Sequence, residues 1–181
     1  MSSGELKEYV FKITILGNAA VGKTSLINQY VESTFQEDYK PTLGANIIRK
    51  DVNISGTKIR LIMWDLAGQK KYQSIRSMYF QGCVGALLVY DVTRPKTFEA
   101  IKDKWLSDFQ KYVENEGSYI LIGNKIDLKE DRKVETTQGE ELAKEINASS
   151  FIETSAKYGE NVEEAFKTLV REILDNYGEK I

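Results

Sequence analysis

The sequence predicts an α/β fold built on a mostly parallel sheet. Short apolar runs alternate with longer amphipathic stretches along the chain, which is the pattern of strands joined by crossover helices. Two neighbouring apolar runs are separated only by Ser55 and Gly56, and this spacing predicts one antiparallel hairpin in the sheet. The 181 residues are 41% hydrophobic and 29% charged, so we expect a single ordered domain over residues 1–181.

Each element follows from a local pattern. The first strand ends at a glycine-rich turn, the second and third flank the hairpin, and the last three are apolar runs followed by polar residues. The predicted strands are 10–16, 46–54, 58–64, 84–90, 119–122 and 150–152. The predicted helices are 24–31, 97–113, 137–146 and 162–177. We expect Asn161 to cap the last helix, with Glu164 bonding back to the cap.

The composition excludes several classes of function. A net charge of -2 gives no electrostatic basis for binding nucleic acid, and we expect none as a partner. The single cysteine, Cys83, lies in an apolar run and reads as a small buried hydrophobe. The chain has no histidine, so any metal site must use oxygen ligands, which Mg²⁺ prefers.

The turn after the first predicted strand carries a phosphate-binding pattern. Residues 17–24 read G-N-A-A-V-G-K-T, which matches G-x-x-x-x-G-K-[ST] between a strand and a helix. Gly17 and Gly22 let the backbone curl so that successive N–H groups face one anion. Lys23 supplies positive charge to the β- and γ-phosphates, and the Thr24 hydroxyl can bind Mg²⁺. We therefore predict nucleotide binding by Gly17, Asn18, Ala19, Ala20, Val21, Gly22, Lys23, Thr24 and Ser25.

The third predicted strand leads into W-D-L-A-G-Q at residues 64–69. The Asp65 carboxylate can hold Mg²⁺ through water, and Gly68 lets a backbone N–H approach a γ-phosphate closely. Gln69 can orient an attacking water. The D-x-x-G pattern alone is equally compatible with a polar turn, but its position after a phosphate loop favours the nucleotide site.

Two further motifs follow the fifth and sixth strands. In N-K-I-D, residues 124–127, Asp127 can accept from the N1–H and the exocyclic amino group of guanine. Adenine lacks that donor pair, which disfavours an ATP-driven enzyme. The Lys125 stem can cover the base plane, and Asn124 belongs to the same motif. In S-A-K, formed by Ser155, Ala156 and Lys157, the backbone can donate to the guanine carbonyl, although alone this is an ordinary loop.

In this order the motifs resemble those of the Ras superfamily of small GTPases, over about residues 10–177. The chain is most similar to the Rab family, through W-D-x-A-G-Q, Y-F-x-G at residues 79–82 and Y-D-V-T at residues 90–93. The resemblance implies a three-layer P-loop NTPase fold, with a six-stranded, mostly parallel sheet, one antiparallel strand and helices on both faces. It implies a switch that binds GTP or GDP with Mg²⁺ and slowly hydrolyses GTP, in vesicle trafficking or a prokaryotic equivalent.

The resemblance also assigns roles that the residues alone do not suggest. Phe35 is expected to lie edge-on against the guanine. Thr42 is expected to bind Mg²⁺ only in the GTP state, and its carbonyl is expected to position water together with Gln69. The expected catalytic residues are Lys23, Thr42 and Gln69. Switch I, residues 36–45, and switch II, residues 67–79, are the expected binding sites of exchange factors, GTPase-activating proteins and effectors.

Several positions depart from the family pattern. We expect Ala20 to affect access by an activating protein, and Lys70 to alter the choice of exchange factor. Ile47 replaces one of three aromatic residues that the family uses to bind effectors, whereas Trp64 and Tyr79 match the other two. The remaining departures are Ala19 and Leu66.

Two expectations concern activity and location. A GTP-binding module with negligible hydrolysis is the alternative to a GTPase, and the presence of Gln69 disfavours it. The sequence stops at Glu179-Lys180-Ile181 without a cysteine, and residue 2 is serine, so we expect no lipid anchor in this chain. We expect a cytoplasmic monomer that associates with a membrane only if a lipidated tail was removed or a partner recruits it.

Overall fold

A computed structural model describes residues 8–36, 42–66, 76–113 and 117–178. Six strands form one sheet in the order β2-β3-β1-β4-β5-β6. The strands are β1 (Glu8–Leu16), β2 (Ala45–Ile54), β3 (Thr57–Leu66), β4 (Cys83–Asp91), β5 (Ser118–Asn124) and β6 (Phe151–Thr154). The pair β2·β3 is antiparallel and the other neighbours are parallel. The predicted fold class is therefore confirmed, including the antiparallel hairpin.

Helical segments lie between the strands. They are α1 (Lys23–Glu32), α2 (Arg76–Phe80), α3 (Pro95–Ala100), a π-helical segment (Ile101–Leu106), α4 (Ser107–Tyr112), a 3₁₀ turn (Lys129–Asp131), α5 (Thr136–Glu145) and α6 (Val162–Asn176). We did not predict α2 or the 3₁₀ turn, because both are too short to show a helical repeat. No helix within the described residues combines the length and the apolar composition needed to cross a membrane.

Apolar residues are buried on both faces of the sheet. On β4, Leu87 and Val89 pack on the side of α1 and α6, whereas Leu88 and Tyr90 pack on the opposite side. This alternation follows from the two-residue repeat of a strand. One face of α6 is buried as predicted, through Val162, Ala165, Phe166, Leu169, Val170, Ile173 and Leu174. Helices thus cover both faces and complete the three layers.

The helix predicted over residues 97–113 contains a π-helical segment that the sequence did not indicate. A π turn includes one residue more than an α turn, so it shifts the direction of the side chains that follow. Trp105, within this segment, is 1% exposed. Its indole nitrogen donates to Asn18 Oδ1 at 2.6 Å, which joins the helix to the turn after β1.

Asn161 is the N-cap residue of α6, as predicted, but the predicted capping hydrogen bonds are absent. Asn161 has φ 57°, in the left-handed region, and its side chain makes no capping hydrogen bond. An N-cap residue normally has extended backbone, which directs its side-chain oxygen at the first turn. The Asn161 amide instead donates to the carbonyl of Glu153 at 2.8 Å. Glu164 accepts from Arg171 at 2.9 Å, so it does not bond back to the cap.

The register of the parallel strands places polar side chains in one row. Asp91, the last residue of β4, pairs with Asn124, the last residue of β5, and Asn124 pairs with Thr154, the last residue of β6. Asp65 is near the end of β3, opposite Ile15 of β1. The carboxyl ends of parallel strands share one edge of the sheet, so these residues meet at that edge.

We predict that Tyr90→Phe stabilises the protein. The Tyr90 hydroxyl is buried and has no hydrogen-bond partner among the described residues, and burial raises the pKa of this phenol. A buried polar group without a partner is destabilising, so removing it should raise the free energy of unfolding by about 1 kcal/mol, measured by urea denaturation.

Tyr119→Phe is the matched control for this substitution. The Tyr119 hydroxyl donates to the carbonyl of Ile146 at 2.7 Å, so its loss should destabilise the fold by about 1 kcal/mol. A destabilisation of the same size by Tyr90→Phe would contradict the prediction.

Candidate functional site

The turn between β1 and α1 directs its carbonyl groups at neighbouring side chains. Lys23 Nζ donates to Gly17 O at 3.0 Å and to Asn18 O at 2.9 Å. The next three carbonyls are bound by residues at the ends of β4 and β5. These bonds are Arg94 Nη2 to Ala19 O (3.1 Å), Lys125 Nζ to Ala20 O (2.8 Å) and Asn124 Nδ2 to Val21 O (2.9 Å).

These bonds determine where the amide groups of the turn point. A trans peptide is planar and carries its N–H opposite its C=O. Because the carbonyls of residues 19–21 are held by side chains, the N–H groups of residues 20–22 face the other side of the turn. Consecutive N–H groups beside a helix N-terminus form an anion-binding concavity. The carbonyl bonds are thus compatible with the predicted phosphate-binding turn, and nucleotide binding there stays a prediction.

Gly22 cannot be replaced without a clash. Its φ is 102°, and a Cβ built there would lie 2.3 Å from Asn124 Nδ2. Gly17 is equally restricted, because its Cβ would lie 2.2 Å from the carbonyl oxygen of Val89. Both glycines are thus required by the close approach of β4 and β5 to the turn.

Three oxygen-bearing side chains meet beside Lys23. The Thr24 hydroxyl donates to Asp65 Oδ2 and lies 2.9 Å from the Thr42 hydroxyl, which is itself 3.4 Å from Asp65 Oδ2. Asp65 is fully buried, and its Oδ1 has no hydrogen-bond partner among the described residues. Burial raises the pKa of Asp65, and the bonds from Thr24 and Thr42 and the charge of Lys23 only partly offset this.

This oxygen cluster fits a hard divalent cation. Mg²⁺ is usually bound by one or two carboxylates together with substrate phosphates and water. The buried Asp65 oxygen without a partner is the group that a cation would neutralise. No cluster of three or more carboxylate, histidine or cysteine side chains occurs among the described residues, so a cation here would depend on hydroxyl, phosphate and water ligands as well.

Asn124 connects two of the predicted motifs. Its Nδ2 binds Val21 O, while its Oδ1 accepts from the Thr154 hydroxyl at 3.0 Å and from the Ala156 N–H at 3.2 Å. The Asn124 side chain therefore bonds to the protein on both sides and positions the loops around it. The N-K-x-D pattern predicts that Asn124 lies near the base and does not indicate this link.

The side chain predicted to select the base is also held in place. Asp127 Oδ1 accepts from the Ser155 hydroxyl at 2.7 Å, and Ser155 Oγ accepts in turn from the N–H of Tyr158 at 3.2 Å. Lys157 is exposed, and its ammonium lies 5.6 Å from the Tyr158 ring centroid. The N-K-x-D and S-A-K motifs, distant in the sequence, thus contact each other directly.

Asp91 lies in the Y-D-V-T pattern, but the sequence analysis assigned it no role in the site. It is 1% exposed, and its Oδ2 contacts Lys125 Nζ at 2.8 Å and Arg94 Nε at 3.0 Å. Its Oδ1 accepts from the N–H and hydroxyl of Thr93. Burial alone would raise the pKa of Asp91, but the bonds from Lys125 and Thr93 outweigh it and the pKa is lowered. The available signal was a carboxylate at the end of an apolar strand, as for Asp65.

Other predicted residues are less constrained or lie outside the described residues. Phe35 is 37% exposed, and Ser25 is half-buried in the first turn of α1. Gly68 and Gln69 are outside the described residues, as is Lys70. Residues 37–41 of switch I and 67–75 of switch II are also outside them.

The sequence matches known proteins over most of its length. The profile of the Ras family matches residues 12–175. Rab-1 of Theileria parva is 40% identical over 168 residues, which cover 93% of this chain and 76% of the relative. RABA5b of Arabidopsis thaliana is 38% identical over 175 residues, covering 97% and 80%. Human Rab-12 is 40% identical over 167 residues, covering 92% and 68%.

We predict that Asp91→Asn destabilises the protein in a pH-dependent way. Removing the carboxylate leaves two cations without their shared partner, and since both are partly exposed we expect a loss of about 2 kcal/mol near pH 7. The pKa of Asp91 is lower in the folded protein than the value of about 3.9 for an unfolded carboxyl group. The carboxylate therefore contributes fully to the free energy of unfolding above about pH 3.9, and this contribution is lost as the pH falls through the folded pKa. Urea denaturation of both proteins at several pH values measures this.

The stability difference between wild type and Asp91→Asn should therefore shrink below about pH 4. Asp51→Asn is the control, because it removes a carboxylate that an arginine, Arg60, binds at an exposed position. An equal loss for both variants, or a difference that stays constant into strong acid, would contradict the assigned role of Asp91.

Proposed function

The chain belongs to the Ras family and is a Rab-like small GTPase that binds GTP and GDP and hydrolyses GTP; from this premise, we propose which of its residues perform each step. The observation that carries the assignment is the row of carbonyl groups in the turn after β1, three of which are held by side chains at or just after the ends of β4 and β5. The amide groups on the other side of that turn are proposed to bind the β-phosphate.

Charge at the phosphate site is proposed to come from Lys23. Its ammonium donates to the carbonyls of Gly17 and Asn18 at the start of the turn, and Lys23 is 6% exposed. A cation held there can bond to the β- and γ-phosphate oxygens that gain charge during transfer. Ser25, the residue after Thr24 at the start of α1, would complete the phosphate-binding set through its backbone N–H.

Thr24 and Thr42 are proposed to hold Mg²⁺ directly, with Asp65 acting through water. When bound, Mg²⁺ neutralises charge on the phosphates and orients them. The buried Asp65 carboxylate and the two hydroxyl groups already lie within hydrogen-bond distance of one another. Thr42 belongs to switch I, so its participation would couple the metal site to the conformation of that segment.

Hydrolysis is proposed to need orientation of a water more than a strong base. Gln69 and the Thr42 carbonyl would position the water in line with the γ-phosphate. Residues 36–45 contain no arginine, so we infer that a GTPase-activating protein supplies one. Without it, turnover on the order of 10⁻⁴ s⁻¹ is expected for a switch of this type. Membership of a family of GTPases does not favour the alternative of negligible hydrolysis.

Guanine is proposed to be recognised by Asp127. Its Oδ1 is fixed by the Ser155 hydroxyl at 2.7 Å, so the carboxylate presents a defined edge for the two donors of guanine. Lys125, whose ammonium is anchored by Asp91 and Ala20 O, would lay its aliphatic stem along one side of the base. Phe35 is proposed to contact the edge of the base. The backbone N–H groups of Ala156 and Lys157 are proposed to donate to the guanine carbonyl, with the Ala156 N–H shared between that carbonyl and Asn124 Oδ1.

Partner binding is proposed to use exposed apolar residues near the switches. Leu43 is 76% exposed, Ile47 55% and Met78 71%. Ile47 pairs with Trp64 across β2 and β3, and the Trp64 ring lies 5.4 Å from that of Tyr79. Loss of the γ-phosphate would release Thr42 and the backbone around Gly68, so effectors and exchange factors could distinguish the two states.

The cellular setting is a further part of the proposal. We place the protein in the cytoplasm as a monomer. We assign it to vesicle trafficking or its prokaryotic equivalent, because its relatives carry Rab names. Any contact with a membrane would then depend on a lipidated segment or on a recruiting partner.

The first test is to identify the nucleotide that the purified protein carries. The protein is denatured and the released compound is analysed by ion-exchange chromatography. Near-stoichiometric GDP is the expected result, because guanine selection retains a guanine nucleotide and hydrolysis converts bound GTP to GDP. Retained GTP would indicate a binding module that barely hydrolyses, and ADP would contradict the base assignment.

We predict that Asp127→Asn changes the base preference from guanine to xanthine. The amide replaces one acceptor by a donor, which can pair with the carbonyl that xanthine carries in place of the amino group. Competition binding with GDP and xanthosine diphosphate should show GDP affinity falling at least 100-fold and the xanthine nucleotide becoming the preferred ligand.

Leu128→Ala is the control for that substitution, because the exposed Leu128 follows Asp127 without a proposed base contact. It should keep the preference for GDP. An unchanged preference in Asp127→Asn would contradict guanine readout by this carboxylate.

A further inference from the structure

Ala20 has a backbone conformation that alanine rarely adopts. Its φ is 62°, in the left-handed region, where the Cβ of an L-residue crowds the following carbonyl. Such conformations persist only where the surrounding structure imposes them, and they concentrate at ligand-binding sites. The phosphate-binding turn therefore needs an element that holds Ala20 in place.

Both peptide groups that flank Ala20 are held by cations. Arg94 Nη2 donates to the preceding carbonyl, Ala19 O, at 3.1 Å. Lys125 Nζ donates to the carbonyl of Ala20 itself at 2.8 Å. Because φ and ψ of Ala20 are the rotations between these two peptide planes, fixing both carbonyls restricts both angles.

The two cations share one carboxylate oxygen. Asp91 Oδ2 lies 3.0 Å from Arg94 Nε and 2.8 Å from Lys125 Nζ, and the Asp91 side chain is 1% exposed. A buried carboxylate with this many donors has little freedom to move. Asp91 thus holds both cationic groups in the positions from which they bind the carbonyls of the turn.

We propose that Arg94 is a positioning residue of the phosphate-binding turn, which holds the Ala19–Ala20 peptide so that the Ala20 N–H faces the nucleotide. The proposal rests on the proposed nucleotide site and adds a residue that lies outside its motifs. Arg94 acts through the backbone, because its guanidinium contacts a carbonyl oxygen and a carboxylate.

The shape of the arginine side chain suits this role. Nε binds Asp91 and Nη2 binds Ala19 O, so one planar group spans the two acceptors in fixed geometry. Lysine has a single nitrogen on a flexible stem and cannot reproduce this spacing. Arg94→Lys should therefore restore the charge without restoring the function, whereas a purely electrostatic role would be rescued.

The test measures release of a fluorescent GDP analogue, displaced by excess GDP in the presence of Mg²⁺, from the full-length protein. Arg94→Gln should release the analogue about tenfold faster than wild type, equivalent to about 1.4 kcal/mol. Arg94→Lys should release it nearly as fast as Arg94→Gln. Thermal unfolding of each nucleotide-bound variant establishes that it is folded.

The control is Arg60→Gln. Arg60 has a similarly exposed side chain, 36% against 41% for Arg94, and it also binds a carboxylate, that of Asp51. It lies on β3 near the opposite end of the sheet, where it pairs with Val10. Arg60→Gln should leave nucleotide release at the wild-type rate.

Repeating the Arg94 substitution in an Ala20→Gly variant shows whether Arg94 acts through Ala20. Glycine adopts the left-handed conformation without strain, so Ala20→Gly removes the need to hold it. When Arg94→Gln is added to Ala20→Gly, release should accelerate less than threefold over Ala20→Gly alone. A purely structural loss would not depend on residue 20, so it would give the same tenfold change in both backgrounds.

The outcomes separate the two proposals. Tight binding of GDP by wild type, with equal release rates in Arg94→Gln and Arg60→Gln, would overturn the positioning role alone. Equal acceleration in the Ala20 and Ala20→Gly backgrounds, or full rescue by Arg94→Lys, would also overturn it. A wild-type protein with no affinity for guanine nucleotides would instead contradict the proposed site.

Discussion

The site depends on one buried carboxylate, that of Asp91. Placing an ionised group in the interior is unfavourable unless it is paired and hydrogen-bonded. Asp91 meets this condition through its contacts with Thr93, Arg94 and Lys125. Burial raises its pKa, but the bonds from Lys125 and Thr93 outweigh burial and lower it. The cations that satisfy Asp91 also bind the carbonyls of the phosphate turn. The same interaction that permits the buried charge therefore shapes the turn.

The geometry around Asp91 follows from the parallel sheet. Strands β1, β4, β5 and β6 end at one edge, and their register places Asp91, Asn124 and Thr154 on neighbouring strands at the same level. Asn124 uses this position to bond to the turn after β1 and to the loop after β6. A shift of one residue in this register would direct these side chains at the opposite face. The phosphate and base regions are thus aligned by the sheet itself.

Two aspartates at this edge differ in how their charge is balanced. Cations contact Asp91 directly, and its pKa is lowered. The near contacts of Asp65 are hydroxyl groups, its Oδ1 has no partner among the described residues, and its pKa is raised. The charge of Asp91 is balanced by cations of the protein itself, whereas the charge of Asp65 would be stabilised by a bound cation. This contrast supports a structural role for one and a metal-binding role for the other.

The sequence by itself determined the fold class, the order of strands along the chain and the local motifs, because these depend on short-range periodicity and on residue types at fixed spacing. It predicted the phosphate turn, the Asp65 position and the two base-side motifs. Only the tertiary structure decided how these parts are joined: the π-helical placement of Trp105 against Asn18, the left-handed backbone of the N-cap residue Asn161, and the convergence of Arg94 and Lys125 on Asp91. The contacts of Trp105 with Asn18 and of Lys125 with Asp91 join residues far apart in the chain, so their geometry is set by strand register and packing, which no local pattern records.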